Sequence, residues 1–444
     1  MKVTYDFSGR TVWVAGAASG IGRALALACV DVGAEVVAAD IDAVGLQSLS
    51  DLRSQRLHTE VLDLSDAQAV QRLVVVGGGP AGATAADDLA LQGHKVLLLD
   101  RQGRIKPCGG AIPPRLIKDF QIPDELLVAK ARAARMVSPK DKKVDIPIEG
   151  GFVGMVNRDQ FDEWLRERAE RHGAVRQRGV FDKLTRDDDG VSRVHFTVRT
   201  DDGVTFTAST RARCVVGADG AKSEVARQAV PGAEKTKYVF AYHEIVQTPQ
   251  DMLQTDADPS RCDVYYRGSL SPDFYGWVFP HGDTMSVGTG SADKGFSLRG
   301  AVGRLRDAAG LQHATVLRRE GAPLPMKPLP RWDNGLDVVL AGDAAGVVAP
   351  ASGEGIYYAM LGGRLAAEAA HELLVSGNPK VLKLARKRFM KDHGMVFMVL
   401  GIMQYFWYST DKRRESFVKM CEDKDVQKLT FDSYMNKKLE RKKP

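Results

Sequence analysis

Cysteine is scarce and scattered in this chain. There are five in 444 residues, Cys29, Cys108, Cys214, Cys262 and Cys421, an odd number with no Cys-x-x-Cys pair. That spacing speaks against a paired-thiol zinc site and a dithiol redox centre, and a reducing, cytoplasmic compartment fits it best. No run of about 18 uninterrupted apolar residues exists, and residues 1–10 have no apolar core, so neither a membrane span nor a signal peptide is expected. The formal net charge is only +6 and no nucleic-acid-binding signature accompanies it, which sets nucleic acid aside as a partner. Oligomeric state leaves no trace in the sequence. What remains, 44% hydrophobic and 27% charged residues, describes a globular chain long enough for two or three domains.

A tandem repeat dominates the first hundred residues. Residues 11–14 form an apolar strand leading into Gly16, Gly20 and Gly22, an Ala/Leu-rich helix, Gly33, and a second strand ending in Asp40. The second copy runs from residues 73–76 into Gly77, Gly79, Ala81 and Gly82, another Ala/Leu-rich helix, Gly93, and a strand ending in Asp100 and Arg101. In each unit the glycines let backbone N–H groups approach a pyrophosphate at a helix N-terminus, and the terminal aspartate can accept a ribose hydroxyl. A lone glycine motif is weak, but strand, helix and acidic residue together predict nucleotide binding for the second unit.

The wider spacing of Gly16, Gly20 and Gly22 resembles the short-chain dehydrogenase family, with residues 61–64 as its third strand. The resemblance covers residues 1–72 and then stops, without the family's Ser and Tyr-x-x-x-Lys catalytic set in context. Tyr434 and Lys438 show that spacing by chance, in a polar C-terminal tail. Three readings stand for this stub: a retained NAD(P)-binding half, a structural appendage, or the seam of a fused reading frame, which the linkerless join at residues 69–73 favours.

Further segments narrow the second unit. Arg158 opens an amphipathic helix over residues 157–165 and is placed to meet an anionic cofactor. Residues 194–199 and 204–208 alternate around Asp201, Asp202 and Gly203, and the strand at 214–216 ends in Gly217, Ala218, Asp219 and Gly220. A buried strand at 338–341 ends in Gly342 and Asp343, followed by a helix start at Gly353, Gly355 and Ile356. These four segments, in this order, resemble FAD enzymes of the p-hydroxybenzoate hydroxylase architecture over residues 73–375. The resemblance implies an α/β Rossmann-like FAD-binding domain (73–234 and 331–375), an antiparallel β substrate domain (235–330), a C-terminal helical region (376–444) and the N-terminal half-Rossmann stub (1–72).

Two more segments, Lys106-Pro107-Cys108-Gly109-Gly110-Ala111 and Tyr275-Gly276-Trp277-Val278-Phe279-Pro280, are similar to motifs of the geranylgeranyl reductases of chlorophyll and bacteriochlorophyll synthesis. That family implies FAD as cofactor, NADPH as donor, and geranylgeranyl-bacteriochlorophyll or geranylgeranyl diphosphate as substrate, with Cys108 to Ala111 near the flavin. Tyr275, Trp277, Phe279 and Pro280 are the expected substrate contacts, since alternate residues of a strand can line one wall of an apolar tunnel. Cys108 and Tyr275 are the candidate proton-handling groups, and Cys108 has an inert buried thiol as its plain alternative. A monooxygenase on the same fold and an inactive fusion product are the rival functions.

The triplet at Asp187, Asp188 and Asp189, followed by Gly190, reads as a turn rather than a magnesium–diphosphate site. Residues 395–408, rich in Met and aromatics, suit a cap over the tunnel, an interfacial helix or plain core. Lys412, Arg413, Arg414 and the closing Lys437, Lys438, Arg441, Lys442 and Lys443 favour peripheral contact with anionic lipid.

Overall fold

The computed structural model describes residues 5–52, 55–61, 72–101, 106–200, 203–251, 255–428, Tyr434 and Lys437. Residues 62–64, 69–71, Asp201, Asp202, Lys438 and 441–443, named above, lie outside these. The chain forms two compact units, Met1–Arg72 and Leu73–Pro444.

The N-terminal unit is a three-stranded parallel sheet in which Glu35–Asp40 pairs with both Thr11–Ala15 and Leu57–Val61. Its small core holds Val14, Val36, Leu46, Leu49 and Leu57. The carboxylate of Asp40 accepts the N–H groups of Ala18 and Asp42, so it braces the glycine turn of its own unit.

The second unit has a larger sheet in the order Val175–Arg178, Val96–Asp100, Arg72–Val76, Thr205–Gly217, Ser192–Arg199, Val180–Arg186, with Val338–Leu340 added in parallel to Thr205–Gly217. Its central strands are apolar on both faces because helices cover it: Leu73, Val74, Val75 and Leu98 are all fully buried. Residues 204–208 and 214–216, read as separate strands in the sequence, are one strand of 13 residues. The turn at Asp187–Gly190 joins two strands; Asp187 grips Arg193 and Asp189 grips Arg211.

The other seven-stranded sheet differs from the expected boundaries. Its order is Val316–Leu324, Val239–Gln247, Thr284–Ser291, Gly276–His281, Arg261–Tyr265, Ala133–Val137, Lys143–Pro147, so two strands come from outside 235–330. Arg261–Tyr265 and Ala133–Val137 pair in parallel, which departs from a purely antiparallel sheet. Two hairpins, Ala133–Val137 with Lys143–Pro147 and Arg261–Tyr265 with Gly276–His281, join side by side across the sequence gap, each satisfying the other's open edge.

The long helix Ile356–Ser376 packs on Pro80–Leu91, and Lys383–Trp407 follows it. Among the described residues no helix is long and apolar enough to cross a membrane.

Candidate active site

The glycine turn between Arg72–Val76 and Pro80–Leu91 is built by close approach. Gly77 has φ +106°, and a side chain on it would meet the Ala218 carbonyl oxygen at 2.3 Å. The strand-end segment Gly217–Gly220 therefore backs the turn. Asp219 turns inward: Ser223 donates to it at 2.5 Å and the N–H groups of Glu224 and Val225 at 2.7 and 3.2 Å, capping the helix Glu224–Ala229. The adjacent helix start thus engages the Asp219 carboxylate, while the space where a Cβ of Gly220 would sit is open.

Gly79 caps Pro80–Leu91 without a side chain, and the space where its Cβ would sit is open. An unobstructed helix N-terminus of this length fits a pyrophosphate. Asp100 accepts the Gly78 N–H at 3.2 Å, and Arg166 donates to the Gly78 carbonyl at 3.0 Å while lying 3.7 Å from Asp100. Arg101 is exposed at the strand end. Ala81 is a packing point: side chains added at Gly342 and Gly363 would meet its Cβ at 2.7 Å and its carbonyl oxygen at 2.2 Å. The Ala81 contact locks the two halves of the cofactor fold together.

From this turn a cavity of about 680 Å³ runs toward the second sheet. One end is lined by Pro80, Lys106 to Ala111, Arg158, Asp343 and Gly353 to Ile356; the walls are apolar, including Ile146, Val264, Leu324, Leu400 and Met403. Cys108 Sγ accepts the Gly110 N–H at 3.4 Å. Tyr275, Trp277 and Phe279 line the cavity together, with successive ring centroids 6.1 and 6.4 Å apart. Trp277 is fixed by donating to Ser286 at 3.1 Å, and Tyr275 by donating to the Ser352 carbonyl at 2.5 Å. Burial pushes the Tyr275 phenol far above its ordinary range. Pro280 is absent from the lining: strand alternation turns it to the opposite face, where its register partner Met285 packs.

Two expected cofactor-binding groups are already paired. Arg158 reaches the cavity but forms a bidentate bond with Asp162 at 2.8 and 2.7 Å; burial opposes its charge and the carboxylate outweighs burial. Asp343 accepts Lys106 Nζ at 2.5 Å, so its free capacity for a ribityl hydroxyl is reduced. Sequence reasoning missed Arg166, Lys106 as the partner of Asp343, Glu354, and the C-terminal residues Tyr434 and Lys437. Tyr434 is not in a solvated tail but half-buried at the cavity, and Lys437 is buried against Glu354. Arg414, counted above among lipid-facing cations, is also buried, donating to the carbonyls of Ser271, Pro272 and Tyr408.

An open glycine turn at the carboxyl end of parallel strands, facing a strand-end aspartate and an apolar cavity, defines a dinucleotide-binding site. The FAD binding domain family matches residues 70–370, most of the chain, and the short chain dehydrogenase family matches residues 10–75. The chain is 58% identical over 370 residues to the geranylgeranyl diphosphate reductase of Rhodobacter capsulatus, covering 83% of this chain and 93% of that one. It is 37% identical to the chloroplastic geranylgeranyl diphosphate reductase of Oryza sativa, covering 83% and 82%. A geranylgeranyl bacteriochlorophyll reductase-like crystal structure from Thermoplasma acidophilum superposes with a TM-score of 0.72 at 22% identity, over 83% of this chain and 97% of that one. The chain belongs to the geranylgeranyl diphosphate reductase family.

Proposed function

We propose that this protein reduces the carbon–carbon double bonds of a geranylgeranyl group to a phytyl group, with FAD as cofactor and NADPH as donor. The tail is carried on bacteriochlorophyll or chlorophyll, or enters as the free diphosphate. The observation that carries this reading is the apolar cavity opening directly onto the glycine turns, in a member of this family. The residues present fit FAD: the turn Gly77–Gly82 and Arg166 would hold the pyrophosphate region, with Asp100 on the ribose side, and Cys108–Ala111, Asp343 and Gly353–Ile356 would surround the ring end. A flavin bound there supplies hydride chemistry. The chain's own contribution is to hold a flexible polyprenyl chain straight against Tyr275, Trp277 and Phe279 and to keep water from the reacting carbons.

The helix Lys383–Trp407 supports access from a lipid surface. Leu400 and Met403 line the cavity, while Met395, Met398, Ile402, Tyr405 and Phe406 are exposed and Lys412 and Arg413 follow. A helix with an apolar outer face and nearby cations lies in an anionic interface. The double substitution Met398→Asp and Ile402→Asp is expected to abolish co-sedimentation with anionic vesicles; unchanged co-sedimentation contradicts this part of the reading. For the chemistry, NADPH added without oxygen should bleach the flavin, and geranylgeranyl diphosphate or the geranylgeranyl pigment should restore its absorbance. Restoration by oxygen alone, with a hydroxylated product, would favour the monooxygenase.

A further inference from the structure

Saturating an isolated trisubstituted double bond adds a hydride to one carbon and a proton to the other, and the proton needs a source inside an apolar cavity. Cys108 and Tyr275 stand near, but the Tyr275 hydroxyl is committed to the Ser352 carbonyl. Between Gly353 and Gly355 lies a carboxyl group that sequence reasoning passed over. Glu354 lines the cavity, its side chain is 7% exposed, and among the described residues its Oε1 is buried without a hydrogen-bond partner. Its other oxygen, Oε2, accepts from Lys437 Nζ. The Lys437 ammonium in turn lies 3.8 Å from the centre of the Tyr434 ring. A buried carboxyl with one unpaired oxygen facing an apolar cavity is costly unless that oxygen has work to do.

On the family reading above, we propose that Glu354 is the catalytic acid, delivering its proton to the second alkene carbon, and that Lys437 from the C-terminal segment is the positioning residue that sets its charge. As the hydride of the dihydroflavin adds to one carbon, the π electron pair at the other takes the carboxyl proton. The Glu354 O–H bond breaks, a C–H bond forms, and the carboxylate is left beside the Lys437 ammonium. Solvent restores the proton and a dihydronicotinamide restores the hydride. Burial raises the Glu354 carboxyl above its ordinary value against the opposing pull of Lys437, and burial lowers Lys437 against the opposing pull of Glu354. Among the described residues, the other titratable groups facing Glu354 are the phenols of Tyr275, Tyr357, Tyr358 and Tyr434, which burial keeps neutral.

The test uses the purified holoenzyme, pre-reduced and given the geranylgeranyl substrate in a single turnover. Glu354→Gln should retain flavin and slow tail reduction by about 100-fold or more, and Glu354→Asp should recover part of the loss. The infrared spectrum of the wild type at neutral pH should hold a protonated-carboxyl band that Glu354→Gln lacks. A general acid works only while protonated, so the rate falls as pH rises through its pKa. Lys437→Met removes a neighbouring cation and should move that alkaline limb to higher pH. A Glu354→Gln rate within about threefold of wild type, or identical infrared spectra, overturns the assignment. If Glu354→Gln cannot hold flavin, an alkaline limb unmoved in Lys437→Met overturns it instead. A wild type that binds flavin and leaves the tail unreduced overturns the family reading and this assignment with it.

Discussion

Gly363 shows how much of the site hangs on single backbone approaches. A methyl group there would lie 2.2 Å from the Ala81 carbonyl oxygen, a contact that only separation of the two helices can relieve. Gly363→Ala should therefore cost about 1–3 kcal/mol and reduce flavin content, read as a lower unfolding midpoint and a lower flavin-to-protein absorbance ratio. An unchanged ratio and midpoint would mean that Ala81 is not the clamp. At this scale the sequence was legible where a residue type has one use: Gly77, Gly79 and Gly82 sit where the motif puts them. It was illegible where a charge finds its partner through the fold. Lys106 meets Asp343 across 237 positions, and Arg166 looks like any surface arginine on its helix until Gly78 comes within 3.0 Å of it.

The helix Lys383–Trp407 has two apolar faces that serve different neighbours. With Leu400 and Met403 toward the cavity, Met403→Trp should shorten the space available to a long tail without touching the glycine turn. The expected outcome is retained flavin with a rate on the geranylgeranyl substrate lowered by about tenfold or more, and a smaller effect on a shorter prenyl chain. Equal effects on both chain lengths would place the tail elsewhere. Met and aromatic content singled out residues 395–408 but left cap, interface and core open, since all three call for the same apolar residues. Pro280 illustrates the reverse case: its motif was legible, while strand alternation sends it away from the cavity that Trp277 and Phe279 line.

For the molecule as a whole, buried histidines tie stability to pH. Burial lowers His281 and His393 to about 4, so both stay neutral in the folded state at pH values where the unfolded chain takes up protons. Unfolded histidine titrates near 6.5, so this contribution is fully present above that pH and is lost as pH falls toward 4. Each should cost roughly 2 kcal/mol by pH 5, and His281→Gln should flatten the decline in unfolding free energy between pH 7 and 5 by about that amount. A parallel decline in wild type and variant would mean that His281 is protonated in the folded protein.

The fold class was readable from the order of the glycine-rich strand ends, because each such end needs a buried strand before it and a helix after it. The borders were not: Ala133–Val137 and Lys143–Pro147 join the second sheet through pairing with Arg261–Tyr265, and no local pattern encodes that partner. The cavity shares this property, drawing its lining from residues as distant as Pro80 and Lys437.

Tail reduction is read most directly from the mass of the prenyl tail after anaerobic incubation of the flavin-loaded protein with NADPH and geranylgeranyl-bacteriochlorophyll, repeated with geranylgeranyl diphosphate. The account predicts a stepwise gain of one hydrogen pair for each double bond reduced, on one or both substrates. Bound flavin that NADPH reduces, beside a tail of unchanged mass on both, would contradict it.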